Sequence, residues 1–183
     1  MKFIETKLKG CYEIEVVPHK DSRGWFSRTY CKNEFSEINH SKEWVQLNHS
    51  FTKEKGIIRG MHFQLPPYTE VKLVKCVSGS VYDVALDLRT NSNTFLKWFG
   101  IELSAENKKM ILIPEGFAHG FQTLTDNCEL IYHHTNFYSP NQEGGIKYDD
   151  PIVGINWPLK ITNISEKDNQ YEYLKENFKG ISL

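Results

Sequence analysis

An all-β fold, a sandwich or barrel of many short strands, is what this sequence predicts, on three observations. Short strand-like runs recur at regular spacing, turn-forming Asn, Gly, Pro and Asp separate them, and helical periodicity is scarce. With 183 residues the chain is long enough for one well-buried core and too short for two ordinary ones, so residues 1–183 are read as a single domain. In order, strands are expected over Glu13 to Val17, Trp44 to Ser50 and Val71 to Val77. A Ser78-Gly79 turn then leads into Val81 to Leu88, which reads as the second arm of a hairpin. There Tyr82, Val84, Leu86 and Leu88 share one face, and Asp83 and Asp87 the other. Further strands fit Phe95 to Leu103, Lys109 to Ile113, Phe117 to Leu124 and Cys128 to Asn136. Helix is expected only over Lys32 to Ile38 and Tyr171 to Phe178, outside the barrel. Pro66-Pro67 and Tyr138 to Asn141 mark loops near a barrel mouth.

The bulk properties exclude several classes. A net charge of −1 with interspersed signs offers no footprint for wrapping nucleic acid and no basic run for a membrane surface. An anionic ligand must therefore be held by a few placed cations. Residues Met1 to Lys7 lack the apolar core of a signal peptide, and no stretch reaches membrane-spanning length, so the cytoplasm is the expected location. Cys11, Cys31, Cys76 and Cys128 are widely spaced with no CxxC pair, which reads as free, mostly buried thiols.

Two separated segments concentrate the chemistry: Ile58-Arg59-Gly60-Met61-His62-Phe63-Gln64 and Pro114-Glu115-Gly116-Phe117-Ala118-His119-Gly120-Phe121. Each sets one histidine among apolar residues and glycines. By strand alternation His62 points the same way as Gly60 and Gln64, with Arg59 on the other side or at the strand end. A lone histidine in a β core is commonly structural, but Lys72 and Tyr132 on other runs add a cation and a phenolic acid, a set suited to proton abstraction beside a carbonyl. Whether Lys72 shares the inner face with Val74 and Cys76, or Leu73, Lys75 and Val77 hold it, stays open at this point. Tyr132 shares a side with Leu130, opposite Ile131 and His133. The His133-His134 pair cannot easily chelate one ion from opposite strand faces, and His62-Phe63-Gln64 lacks the second imidazole of an HxH pair, so no metal site is expected. Asp168 reads equally as a carboxylate that orients an imidazole or as an acidic residue in a first helical turn.

These residues, with Asp21-Ser22-Arg23-Gly24-Trp25-Phe26, Gln46 to Ser50, Leu103 to Asn107, Tyr138-Ser139-Pro140, Glu143, Asp149-Asp150-Pro151 and Lys167-Asp168, resemble the dTDP-4-dehydrorhamnose 3,5-epimerase family over nearly the whole chain. The resemblance implies a cupin-type jelly-roll barrel with short peripheral helices, acting without a cofactor or metal. It implies that His62 is the base, oriented by Asp168, that Tyr132 is the acid on the opposite face, and that Lys72 stabilises the enolate oxygen. Arg23, Gln46, Asn48, Arg59, His119, Glu143 and Lys167 are implied to line a nucleotide-sugar site, and Tyr138 to stack on the pyrimidine. It also implies a homodimer, which fits the exposed edge strands of a jelly roll; Phe3 to Thr6 is our candidate for the segment that crosses to a partner.

One position departs from the family pattern. Arg28 stands where the family commonly has the Glu that helps to hold thymine, and a guanidinium can only donate hydrogen bonds. A CDP-linked or other nucleotide-linked 4-keto sugar is therefore an alternative substrate. Two further alternatives are a catalytically silent sugar-nucleotide-binding jelly roll and a metal-dependent barrel enzyme.

Overall fold

The structure, a computed structural model, describes residues 1–183. The first strands are β1 (Lys2–Glu5), β2 (Tyr12–Glu15), β3 (His19–Asp21) and β4 (Gly24–Phe26), followed by helix α1 (Lys32–Ser36). Then come β5 (Gln46–Thr52), β6 (Ile57–Gln64), β7 (Lys72–Ser78), β8 (Ser80–Asp87) and β9 (Trp98–Ser104). The remainder is β10 (Met110–Ile113), β11 (Phe117–Thr123), β12 (Cys128–His134), β13 (Glu143–Gly145), β14 (Asn163–Ile164) and helix α2 (Glu166–Asn169). One sheet runs β1-β2-β10-β7-β12-β5 and faces a second, β13-β6-β11-β8-β9, with β14 added parallel to β6. The expected all-β barrel is the fold, and no helix is long and apolar enough to cross a membrane.

Alternation along the strands divides the apolar side chains among three layers. Val74 and Cys76 from one sheet meet Val81, Ala85, Leu103 and Phe121 from the other in the barrel interior. Leu73, Met110 and Leu112 point the other way and bury Phe35 of α1. On the far side Val84, Leu86 and Ala118 pack beneath Ile146, Trp157, Leu174 and Phe178. The apolar face of β8 is thus its outer one, covered by the C-terminal strap, while Asp83 and Asp87, both fully buried, face inward. All four cysteines are free thiols, three of them buried.

Several expectations change. β7 and β8 do not form a hairpin, because they belong to opposite sheets. Gly79, at φ +72° and with no room for a Cβ beside Thr125 and Cys128, swings the chain across so that the two runs meet face to face in one core. Tyr171 to Phe178 is not helical. Its apolar spacing is used by a strap whose Leu174 N–H donates to the Asp150 carboxylate at 2.6 Å, and the helix lies earlier, over Glu166–Asn169, capped by Ser165. The run from Phe95 becomes a strand only at Trp98, after a turn in which Leu96 adopts φ +58°. At the N-terminus Phe3 to Glu5 lie in β1, which pairs antiparallel with β2.

The most consequential irregularity is in β6. His62 is opposite His119 and Arg59 is opposite Phe121, so three steps along β6 match two along β11. This bulge rotates Arg59 onto the same cavity as His62, although simple alternation placed them on opposite faces. Gly60 sits in it at φ +120°, and a Cβ there would lie 2.6 Å from Gly120 Cα. Gly60→Ala should therefore destabilise the fold by about 3 kcal/mol, read as a lower urea midpoint at unchanged slope, and should displace His62 enough to lower activity.

Candidate active site

The bulge, the inner face of β12 and the start of β7 open onto one cavity of about 560 Å³. Its lining includes Asn48, Ser50, Arg59, His62, Lys72, His119, Tyr132, His134, Lys167 and Asp168. A narrower extension of about 110 Å³ continues past Gln46, Gln64, Glu70, Tyr138 and Glu143. The open question about Lys72 is thereby answered: its side chain is 11% exposed and lines the cavity, on the side of β7 that also carries Val74 and Cys76 into the core.

His62 Nε2 lies 2.7 Å from Asp168 Oδ1, and the Gly60 N–H donates to the other carboxylate oxygen at 3.0 Å. Burial works to raise the Asp168 pKa, but the hydrogen bond and charge of His62 and the Gly60 amide outweigh it and hold the carboxyl below its ordinary value. Asp168 stands in the first turn of α2 and is also hydrogen-bonded to the imidazole. With Nε2 donating to Asp168, the His62 lone pair is at Nδ1. Tyr171, which sequence reasoning missed, sets its ring edge-on to His62 at 5.9 Å between centroids. Its hydroxyl is buried without a partner, and burial pushes its pKa up to about 12.

Tyr132 Oη is 2.9 Å from Ser50 Oγ, and burial pushes the phenol far above its usual range, which keeps it protonated. Its ring lies between His119 and His134, 6.1 and 6.2 Å away between centroids. His119 Nε2 is 2.9 Å from the fully buried Asp83 carboxylate. The signal for that pair was present in β8, where Asp83 stands between the apolar Val81 and Ala85 on the face that turns inward.

At the open end Glu143 accepts from Lys167 at 2.6 Å and from the Tyr138 hydroxyl at 2.7 Å. Burial raises the Glu143 pKa, but these two partners more than offset it and leave it lowered. Arg59 donates to Thr52 Oγ1 and the Phe51 carbonyl, both neutral. Its charge is not neutralised by any carboxylate, which suits an anionic ligand. Two expected residues are not in this cavity. Arg23 lies in the β3–β4 hairpin, 88% exposed and paired with Asp21 at 2.6 Å. Arg28 is 62% exposed and bound to Glu34 at 2.8 Å, so it is held by its own protomer away from the cavity, because Glu34 in α1 offers it a nearby carboxylate.

An imidazole held by a carboxylate, a protonated phenol and a buried cation around one jelly-roll cavity make up the set of groups that a proton-transfer isomerase uses. The family profile described as dTDP-4-dehydrorhamnose 3,5-epimerase matches residues 5–176. A dTDP-4-dehydrorhamnose 3,5-epimerase of Shigella flexneri is 46% identical over 92% of this chain and 93% of its own. The crystal structure of the Elizabethkingia anophelis enzyme of that name superposes with TM-score 0.92 at 40% identity, covering 97% of this chain and 98% of that one. A Legionella pneumophila dTDP-6-deoxy-D-glucose-3,5-epimerase, solved with dTDP-4-keto-L-rhamnose, gives TM-score 0.89 at 37% identity over 94% and 92% of the two chains. The chain belongs to the dTDP-4-dehydrorhamnose 3,5-epimerase family.

The depressed Asp168 pKa carries a stability consequence. Its contribution is fully present above the unfolded-state value, about pH 4, and is lost as pH falls through the lower folded-state value. Asp168→Asn should therefore lower the urea midpoint at pH 6 and narrow its gap to the unsubstituted protein toward pH 3, measured by urea unfolding at each pH.

Proposed function

We propose that this protein epimerises dTDP-4-keto-6-deoxyglucose at C3 and C5 by proton transfer, giving dTDP-4-keto-L-rhamnose. The observation that carries the reading is the 2.7 Å His62–Asp168 pair in a cavity also lined by Lys72 and Tyr132. His62 Nδ1 takes the proton from the carbon beside the ketone. The C–H electron pair becomes the enolate double bond, and negative charge moves to the C4 oxygen. Asp168 stabilises the imidazolium that forms. Lys72 stabilises the enolate oxygen, where a fixed cation in a water-poor cavity does most to lower the barrier. Tyr132 then donates its proton to the opposite face, and the imidazolium and phenolate return to their starting states through solvent.

Arg59 and Lys167 are assigned to the diphosphate, Gln46, Asn48 and His119 to the sugar and nucleoside, and Tyr138, held by Glu143, to stacking on the base. The dTDP substrate is preferred because the relatives are named for it, and Arg28 is occupied by Glu34 at 2.8 Å. Incubation with dTDP-4-keto-6-deoxyglucose in deuterated water should place deuterium at C3 and C5 by NMR; turnover of the CDP analogue alone would refute the base assignment. His62→Ala should abolish exchange, whereas Tyr132→Phe should keep exchange and slow product formation by about 100-fold. Retained exchange in the His62 variant would remove that residue as the base.

The working unit proposed is a homodimer in which the β3–β4 hairpin of a second copy brings Arg23 to the diphosphate. The reading is supported by the exposure of Arg23, Trp25 and Phe26, and by β5, an edge strand that carries exposed Leu47 and Phe51. Mixing the His62→Ala and Arg23→Ala proteins under exchange conditions should restore activity, because one mixed site then has both residues; no recovery from a mixture shown to contain hybrid dimers would refute the arrangement.

A further inference from the structure

Behind Lys72, on the side away from the main cavity, lies Glu70, which opens only on the narrow extension. Its side chain is 8% exposed, with one oxygen 3.3 Å from Lys72 Nζ and the other 2.7 Å from His134 Nδ1. His134 is nearly as buried, at 9%. A carboxylate taken this far out of water needs both partners, and the same contacts restrict where the ammonium can point.

The direction of each hydrogen bond follows from the neighbours. The backbone N–H of Tyr138 can only donate, and it does so to Gln46 Oε1 at 3.0 Å. The Gln46 amide nitrogen therefore faces Asn48 Oδ1, 3.2 Å away, which turns the Asn48 amide nitrogen toward His134 Nε2 at 3.3 Å. His134 Nε2 must accept, so its Nδ1 carries the hydrogen and donates to Glu70. A one-way chain thus runs from the loop that holds Tyr138, through Gln46, Asn48 and His134, to the carboxylate that grips Lys72.

We propose that Glu70 and His134 are positioning residues, a bracket that aims the Lys72 ammonium at the enolate oxygen. The bracket rests on the role given to Lys72 above. Glu70 does not touch the substrate; it acts by keeping Nζ from swinging out of line as charge develops. His134 in turn keeps the carboxylate from rotating away, and the chain of amides ties that orientation to the loop carrying the base-stacking Tyr138.

The test is a double-mutant cycle in the full-length enzyme with dTDP-4-keto-6-deoxyglucose. Glu70→Ala should lower kcat roughly tenfold with KM held within about twofold, and Glu70→Gln, which keeps one acceptor oxygen, should recover part of the loss. In a Lys72→Met background the same Glu70→Ala change should alter kcat less than about twofold, because the group it aims is gone. His134→Ala, a separate probe should Glu70→Ala fail to fold, should show a smaller kcat loss with the same dependence on Lys72. Equal losses in both backgrounds, or a loss in KM alone, would overturn the bracket while leaving the epimerase reading intact. A Lys72→Met enzyme as fast as the unsubstituted one would overturn the role of Lys72 and the bracket with it.

Discussion

The carboxylate of Asp168 joins parts of the chain that are far apart in sequence, and the geometry of the cavity depends on it. One oxygen receives the Gly60 amide and the other meets His62. The first of these bonds ties α2 to the bulged backbone of β6, and the second sets the ring of the proposed base. Ser165 completes the arrangement by capping α2 through the Asp168 N–H. A buried carboxylate is costly unless its lone pairs are filled, so satisfying Asp168 requires the bulge, the helix and the imidazole to be in place together. The constraint works in both directions: the bulge supplies the amide, and the carboxylate stabilises the bulge.

The same logic recurs around the cavity. Each of these acids is matched to a base or cation: Asp83 of β8 to His119 of β11, Glu70 to His134 of β12 and to Lys72, and Glu143 to Lys167 of α2. Pairing offsets the desolvation penalty and also fixes the imidazoles in defined orientations, which is the condition for directional proton transfer. Arg59 stands apart because its partners are neutral, leaving its charge for a ligand. A cavity of paired charges with one unneutralised guanidinium is organised before any anion arrives.

The two sheets divide the work. The first, through β5, β7 and β12, carries Asn48, Ser50, Lys72, Tyr132 and His134; the second, through β6 and β11, carries Arg59, His62 and His119. The interior is therefore apolar at one end, around Val74, Val81 and Leu103, and polar at the other, with the cavity-lining polar groups of the two sheets facing one another across the barrel. The C-terminal strap covers the outer apolar face of β8, and the chain before it delivers α2 and Asp168 to the cavity rim.

Strand periodicity, turn residues and the scarcity of helical spacing were enough to read the all-β class, and the ordered motifs around Arg59, His62, His119 and Lys167-Asp168 were enough to read the family. These are local signals, carried by neighbouring residues. What sequence could not decide was which runs face each other. The Val71 to Leu88 stretch looks like a hairpin because a turn joins two strands, yet the demand for a shared core sends them to opposite sheets. Tyr171, Leu174 and Phe178 have helical spacing, but Asp150 takes the Leu174 N–H, Leu174 and Phe178 pack on the outer face of β8, and Tyr171 is set against His62. Arg59 shares a face with His62 only because a bulge formed against β11 rotates it there. Glu70 and Asp83 drew no role in the sequence because a carboxylate acquires one from its partner, and their partners, His134 and His119, lie 64 and 36 residues away along the chain.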